Sequence, residues 1–252
     1  MTVSVAVLGA TGRMGRLITR IIEEADDLVL HSALSSASSP REMLGADVLI
    51  DVTRLDVSER AVRFAIQHGI DVVVGTSGWG AERVEQLRTE LPADRGVVIV
   101  PNFSLGSVLT TRLAAIAGRF YDSVEIIEAH HAGKVDSPSG TAVRTAEAIA
   151  DAREGELVAP GAGQEARGAI VRGIPIHALR LRGVVADQQV VLGGTGEVLT
   201  LRHETISQDA YVQGILLALR AAHGARGVTV GLDALLGLDA LGAAGSAPAR
   251  EA

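Results

Sequence analysis

The chain has 252 residues, 47% hydrophobic and 21% charged, with a net charge of −7, a length that suits two small domains or one large one. An acidic balance without a basic run or an aromatic-interleaved basic patch argues against nucleic acid as a partner. Cysteine is absent, which removes disulfides and thiolate metal sites; no signal-peptide pattern or membrane-length apolar run occurs, so a cytoplasmic protein with no membrane partner and no metal is expected.

Val3–Leu8 is a β-branched run that ends in Gly9-Ala-Thr-Gly12-Arg-Met-Gly15 and opens onto an apolar helical pattern through Leu17, Ile18, Ile21 and Ile22. Strand, glycine turn and helix in this order make a pyrophosphate site. The glycines let the backbone turn tightly and approach the ligand, and the helix start offers N–H groups and positive potential. The spacing is G-x-x-G-x-x-G, with Thr11 where the commoner fingerprint has its second glycine. Gly9, Ala10, Thr11, Gly12, Arg13 and Met14 are the candidate cofactor contacts.

Leu28–Leu34, Asp47–Val52, Asp71–Val74 and Val97–Val100 read as further strands, with helices near 56–68 and 80–91. Short apolar strands alternating with helices predict a Rossmann-like, doubly wound parallel sheet. Ligands in such sheets lie beyond the carboxyl ends of the strands, which adds Gly75, Thr76 and Ser77, and Pro101, Asn102 and Phe103, to the cofactor set. An acidic residue about 20 positions beyond the glycines holds the ribose of NAD; Ser35 and Ser36 stand there instead. With no carboxylate to repel a 2′-phosphate, and with Arg13 and Arg41 as cationic partners, NADPH is favoured, with NADH possible.

After Pro101 the pattern changes: a helix near 104–119, a strand Ser123–Ala129, a helix from about Thr141 to Ala152, and strand-like runs near 169–182, 187–193 and 197–204. Strands gathered in this way predict a second, α+β domain with an open mixed sheet. A last helix near 208–223 is followed by the run 227–236, which returns to the first domain. The expected division is 1–101, completed by about 212–240, for dinucleotide binding; 102–211 for substrate binding and oligomerisation; and a flexible tail at 241–252.

The segment Glu125-Ile-Ile-Glu-Ala-His-His-Ala-Gly-Lys-Val-Asp-Ser-Pro-Ser-Gly-Thr141 carries Lys134, the one lysine among 23 basic residues. Arginine matches lysine as a charge but cannot release a proton, so Lys134 is a candidate proton donor. Ser139-Gly-Thr141 opens a helix and can receive a carboxylate or phosphate, or act as an ordinary N-cap. His130, His131 and Lys134 beside an anion-binding helix start describe a site where an acidic small molecule also receives a proton. His31, His68, His177 and His223 have no evident partner. No zincin helix, G-x-S-x-G elbow or Walker lysine is present.

Together with the Gly9–Gly15 turn, Gly75-Thr-Ser-Gly78, Pro101-Asn-Phe-Ser104 and the stretch from Gly194-Thr-Gly-Glu197 to His203, the H-H-x-x-K…D-x-P-S-G-T-A segment resembles the 4-hydroxy-tetrahydrodipicolinate reductase family over nearly the whole chain. The resemblance implies NAD(P)H-dependent reduction of a dicarboxylate cyclic imine to tetrahydrodipicolinate, for diaminopimelate and lysine synthesis. It also implies His130 as acid/base, Lys134 as proton donor, His131, Ser139, Gly140 and Thr141 as substrate contacts, and a homotetramer. Three features depart from the family pattern: Ser35 and Ser36 at the second strand, a short stretch to Asp47, and Gln208 in place of the usual arginine. The alternatives are a paralogue acting on a related cyclic imine and a non-catalytic NADPH-sensing protein. A semialdehyde dehydrogenase would need the nucleophilic cysteine this chain lacks.

Overall fold

Residues up to Leu105 with Tyr211–Leu236 form one compact unit and Gly106–Ala210 another, in a computed structural model that describes residues 2–155, 157, 159–161 and 163–238. The tail expected at 241–252 lies outside the described residues. In chain order, β1 (Val3–Leu8), α1 (Arg13–Glu24), β2 (Leu28–Leu34), β3 (Val48–Asp51), α2 (Leu55–Gln67), β4 (Asp71–Val74), α3 (Ala81–Glu90) and β5 (Gly96–Ile99) alternate strand with helix. There follow α4 (Leu105–Ala117), β6 (Ser123–His131), α5 (Gly140–Asp151), β7 (Ala169–Val171), β8 (Ile174–Leu181), β9 (Ala186–Gly194) and β10 (Glu197–Thr205). The last elements are α6 (Val212–Ala222), β11 (Gly227–Val230) and α7 (Leu232–Leu235).

The first unit holds a six-stranded, all-parallel sheet in the order β11-β5-β4-β3-β1-β2. All four residues of β3, of β4 and of β5 are buried, as strands covered on both faces must be. From β2 the chain returns to the other side of β1 to form β3, so the winding reverses between β1 and β3. Such a switch point leaves a crevice at the carboxyl ends of the two strands. The helical pattern read after the glycine turn is α1, and Leu17, Ile18, Ile21 and Ile22 form its buried face. Behind the sheet, α6 passes so close to the chain that a Cβ at Gly214 would lie 1.9 Å from the Phe103 carbonyl oxygen.

The second unit holds a mixed sheet in the order β10-β9-β6-β8-β7, in which only β6 and β8 pair in parallel. Alternation along the strands turns Val124, Ile126, Ile174, Ile176, Val190 and Leu192 to one face, where they pack with Ala142, Ala146 and Ile149 of α5. The other face leaves Ile127, Leu179, Leu181 and Val198 exposed, so the sheet is open on that side. Three expectations are corrected. The strand begun at Ser123 runs on through His130 and His131. The run at 169–182 is a hairpin turning at Arg172 and Gly173, whose φ values are 50° and 81°. The helix expected over 208–223 opens as a 3₁₀ turn, Gln208–Tyr211, before α6.

The approach of α6 gives a test. Gly214→Ala should destabilise the first unit by about 1–3 kcal/mol, the usual cost of overpacking, read as a lower urea midpoint.

Candidate active site

In the first unit, β1 delivers the chain to Gly9, whose φ is 91°, a conformation that favours glycine. A Cβ at Gly15 would lie 2.1 Å from the Gly9 oxygen, so α1 can rest directly on the turn only because that position is bare. The N–H groups of Gly9 and Ala10 both donate to the Leu34 oxygen at 3.0 Å, which fastens the turn to the end of β2, where Ser35 and Ser36 follow. Arg16 is the first to bond back, to the Gly12 oxygen at 3.0 Å. The N–H groups of residues 13–15 therefore belong to a first helical turn with no acceptor one turn back. This cradle fits a pyrophosphate. Beyond β2, the Ser35 hydroxyl accepts from Ala37 at 3.3 Å and the Ser38 hydroxyl from Ser35 at 3.2 Å. The one carboxylate of the stretch, Glu42, accepts from the Ser39 N–H at 2.7 Å, and Arg13 and Arg41 are exposed.

Met14, Gly75, Thr76, Ser77 and Phe103 line a cavity of about 310 Å³ at the carboxyl ends of β3 and β4, within the range of small-ligand pockets. Pro101 and Asn102 do not line it. Val52 and Thr53 do, and sequence reading passed over them; the signal available was their place directly after β3, at the switch point. Thr53 is pinned there, its N–H donating to Thr76 Oγ1 at 2.8 Å and its hydroxyl to Asp51 Oδ1 at 2.5 Å.

In the second unit the chemistry gathers on the core face of the sheet. Along β6, alternation places Val124, Ile126, Glu128 and His130 on one side and directs His131 to the other, so the adjacent histidines are not brought together. Glu128 is fully buried. Its Oε2 meets His130 Nδ1 at 2.6 Å and Arg180 Nη1 at 2.9 Å, and its Oε1 accepts from Arg180 Nη2 at 2.9 Å and from the Ser139 N–H at 3.0 Å. Arg180 also donates to the Asp136 carbonyl oxygen at 2.6 Å. Neither Glu128 nor Arg180 was singled out in the sequence, where 52 residues separate them.

Ser139 proves to be the N-cap of α5, its hydroxyl accepting from Ala142 at 3.2 Å. Gly140 and Thr141 occupy the first turn, and Gly140, which is exposed, directs its N–H at the Asp136 carboxyl. Lys134 is not on a solvated face. Its side chain is 21% exposed, and Nζ donates to both Asp136 oxygens, at 2.6 and 2.8 Å. Lys134 first, and the backbone N–H of Gly140 among others, hold the Asp136 carboxyl below the usual range. His177, read as unpartnered, in fact meets Glu125 at 2.7 Å, with Arg167 on the same carboxylate.

Burial alone would push the Glu128 carboxyl up, but Arg180, His130 and the Ser139 N–H outweigh it and hold it low. Burial lowers His130 below the ordinary histidine value; Glu128 opposes this, while Lys134 and Arg180 add to it. His130 is therefore neutral at pH 7, and an ionised carboxylate on Nδ1 requires the proton there, leaving a lone pair on Nε2.

Two measurements test these sites. Gly15→Ala should weaken NADPH binding by about 1–3 kcal/mol, roughly 5- to 150-fold, in a fluorescence titration; unchanged affinity would detach the turn from the cofactor. His130 and His203 both have folded-state pKa values lowered by burial. The stability they contribute is present above the unfolded value of about 6.5 and is lost as pH falls through the folded values. Melting temperature should fall from pH 7 to pH 5, with a shallower slope in His203→Gln.

Comparison with known proteins adds independent findings. The family model described as dihydrodipicolinate reductase, N-terminus, matches residues 3–103, and its C-terminus counterpart matches 106–236. The 4-hydroxy-tetrahydrodipicolinate reductase of Clavibacter sepedonicus is 55% identical over 243 residues, 95% of this chain and 88% of that protein. The Mycobacterium marinum protein of the same name is 46% identical, covering 93% of this chain and 99% of its own. A structure of dipicolinate-bound dihydrodipicolinate reductase from Paenisporosarcina sp. TG-14 superposes with a TM-score of 0.81 at 29% identity, over 93% of this chain and 99% of that one.

Proposed function

The chain belongs to the dihydrodipicolinate reductase family, and on that premise we propose how its own residues carry out the reduction. The reaction is NAD(P)H-dependent conversion of 4-hydroxy-tetrahydrodipicolinate to tetrahydrodipicolinate in the diaminopimelate and lysine pathway. The bound nicotinamide supplies a hydride. The Gly9–Met14 turn holds the cofactor's pyrophosphate, and the cavity bounded by Gly75, Thr76, Ser77 and Phe103 receives its nicotinamide end. Pro101 and Asn102 support that loop, the Asn102 side chain accepting from the Ser104 N–H at 2.9 Å. Ser35 and Ser36, with Arg13 in the glycine turn and Arg41 downstream as cationic partners, favour NADPH over NADH, because a 2′-phosphate gains donors and meets no free carboxylate.

The observation that carries the reading of the substrate site is the single bonded network that joins His130, the Lys134 loop and the start of α5. The first turn of α5, through Gly140 and Thr141, receives a substrate carboxylate, a task for which its N–H groups and positive end are suited. Loss of the 4-hydroxyl as water gives a conjugated imine, and hydride addition to it leaves charge on nitrogen that an acid must quench. Lys134 is that acid, since neutral His130 has no proton to give from Nε2. His130 takes up and returns protons in the acid/base role, and His131, at the end of β6, is a further contact to the substrate. The open face of the second sheet, with Ile127, Leu179 and Leu181 exposed, supports assembly as a homotetramer. A biosynthetic reductase of this kind works in the cytoplasm.

The test is oxidation of NADPH and of NADH with the imine generated in place by its synthase from pyruvate and aspartate semialdehyde. Synthase-dependent oxidation, faster with NADPH, is expected. Lys134→Ala should lower turnover by about 10²- to 10⁴-fold without loss of NADPH affinity, and Lys134→Arg, which keeps charge and loses acidity, should not restore it. Full turnover in the arginine variant would remove Lys134 from the donor role.

A further inference from the structure

A carboxylate with no exposure, at one end of an apolar sheet core, is costly unless every acceptor position is used. Glu128 uses them on three separate pieces of chain: His130 on its own strand, Arg180 on β8 and the N–H of Ser139 at the head of α5. Through Arg180 it also reaches the Asp136 carbonyl, in the loop where Asp136 holds Lys134. Gln188, opposite Glu128 on β9, bonds instead to Thr145 Oγ1 at 3.0 Å. Glu128 is thus bonded directly to His130, to Arg180 and to the head of α5.

We propose that Glu128 is a positioning residue for the reduction: it holds His130 as the Nδ1–H tautomer, leaving Nε2 to exchange protons, and fixes the head of α5 relative to that ring. The inference rests on the reading above, in which His130 is the acid/base and α5 receives the carboxylate. Only a glutamate ion does both. Glutamine has one acceptor oxygen, and its amide N–H₂ placed against Nδ1 would force the proton to Nε2. Aspartate is shorter by one methylene and would lose reach to one partner or another. Glu128 itself takes no proton, because its four donors stabilise the ion; the charged groups acting on His130 are Glu128, Lys134 and Arg180.

The direct measurement is a long-range ¹H–¹⁵N spectrum of the histidine rings in the wild-type protein near pH 7.5, with the His130 signals assigned by their loss in His130→Gln. The expected pattern is a protonated Nδ1 and a bare Nε2. Glu128→Gln should reverse that pattern, lower kcat by about 10²- to 10⁴-fold, displace the acidic limb of the pH–kcat profile and leave NADPH affinity unchanged, whereas a merely structural residue would move neither tautomer nor pH profile. A wild-type His130 protonated on Nε2, or a Glu128→Gln protein with unaltered tautomer and kcat, overturns the proposal. If Glu128→Gln does not fold, the wild-type spectrum decides alone. That spectrum does not depend on the substrate, so failure of the proposed reaction and failure of this inference can be told apart.

Discussion

A buried carboxylate that must be satisfied from all sides governs the second unit. Removing a charge from water costs several kcal/mol even after relaxation, and the strand that carries Glu128 cannot avoid it, since alternation turns Glu128 to the same face as Ile126. The cost is met by bonds from a parallel neighbour strand, from the same strand and from a helix start. Each of those bonds also fixes a group to which the proposed mechanism gives a role. Ring orientation and proton position in His130, the register of α5 and the course of the loop bearing Lys134 all follow from one ion's need for donors.

Charge in this unit is local. The protein is acidic overall, at −7, yet Lys134, Arg180 and the positive end of α5 gather around one segment. Asp136 and Glu128 neutralise the two cations. Lys134 and Asp136 form a pair at close range, which orders the lysine side chain. Neutral His130 beside this pair keeps an acceptor next to a donor, an arrangement that burial enforces.

The first unit depends on backbone rather than side chains. Its parallel sheet reverses winding between β1 and β3, and the glycine turn, the Thr53 segment and the Gly75–Ser77 loop all leave from strand ends on that edge. Close approach is the common device: Gly15 admits α1 to the turn, and Gly75 admits the ring of Phe103, whose Cε2 would otherwise lie 2.7 Å from a Cβ. That edge offers N–H groups and small side chains, which suits pyrophosphate recognition through hydrogen bonds rather than ion pairs.

Sequence alone was enough for whatever depends on neighbours along the chain. Short apolar runs and helical patterns place β1 to β5, α2 and α3 to within a residue or two, because those patterns are local in the chain. The strand–glycine–helix order singles out the turn proposed to hold the cofactor, and a lone lysine between a histidine pair and a helix cap singles out the proposed second site. Tertiary structure decided what depends on pairing across distance. Arg180 lies 52 residues from Glu128, and His177 is equally far from Glu125, so no local pattern joins them. Adjacent His130 and His131 look equivalent as letters, and the strand that continues through them turns only one toward Glu128. The course of β6 through both histidines decides which of them gains the Glu128 carboxylate, and Arg180 joins that pair only because β6 lies beside β8.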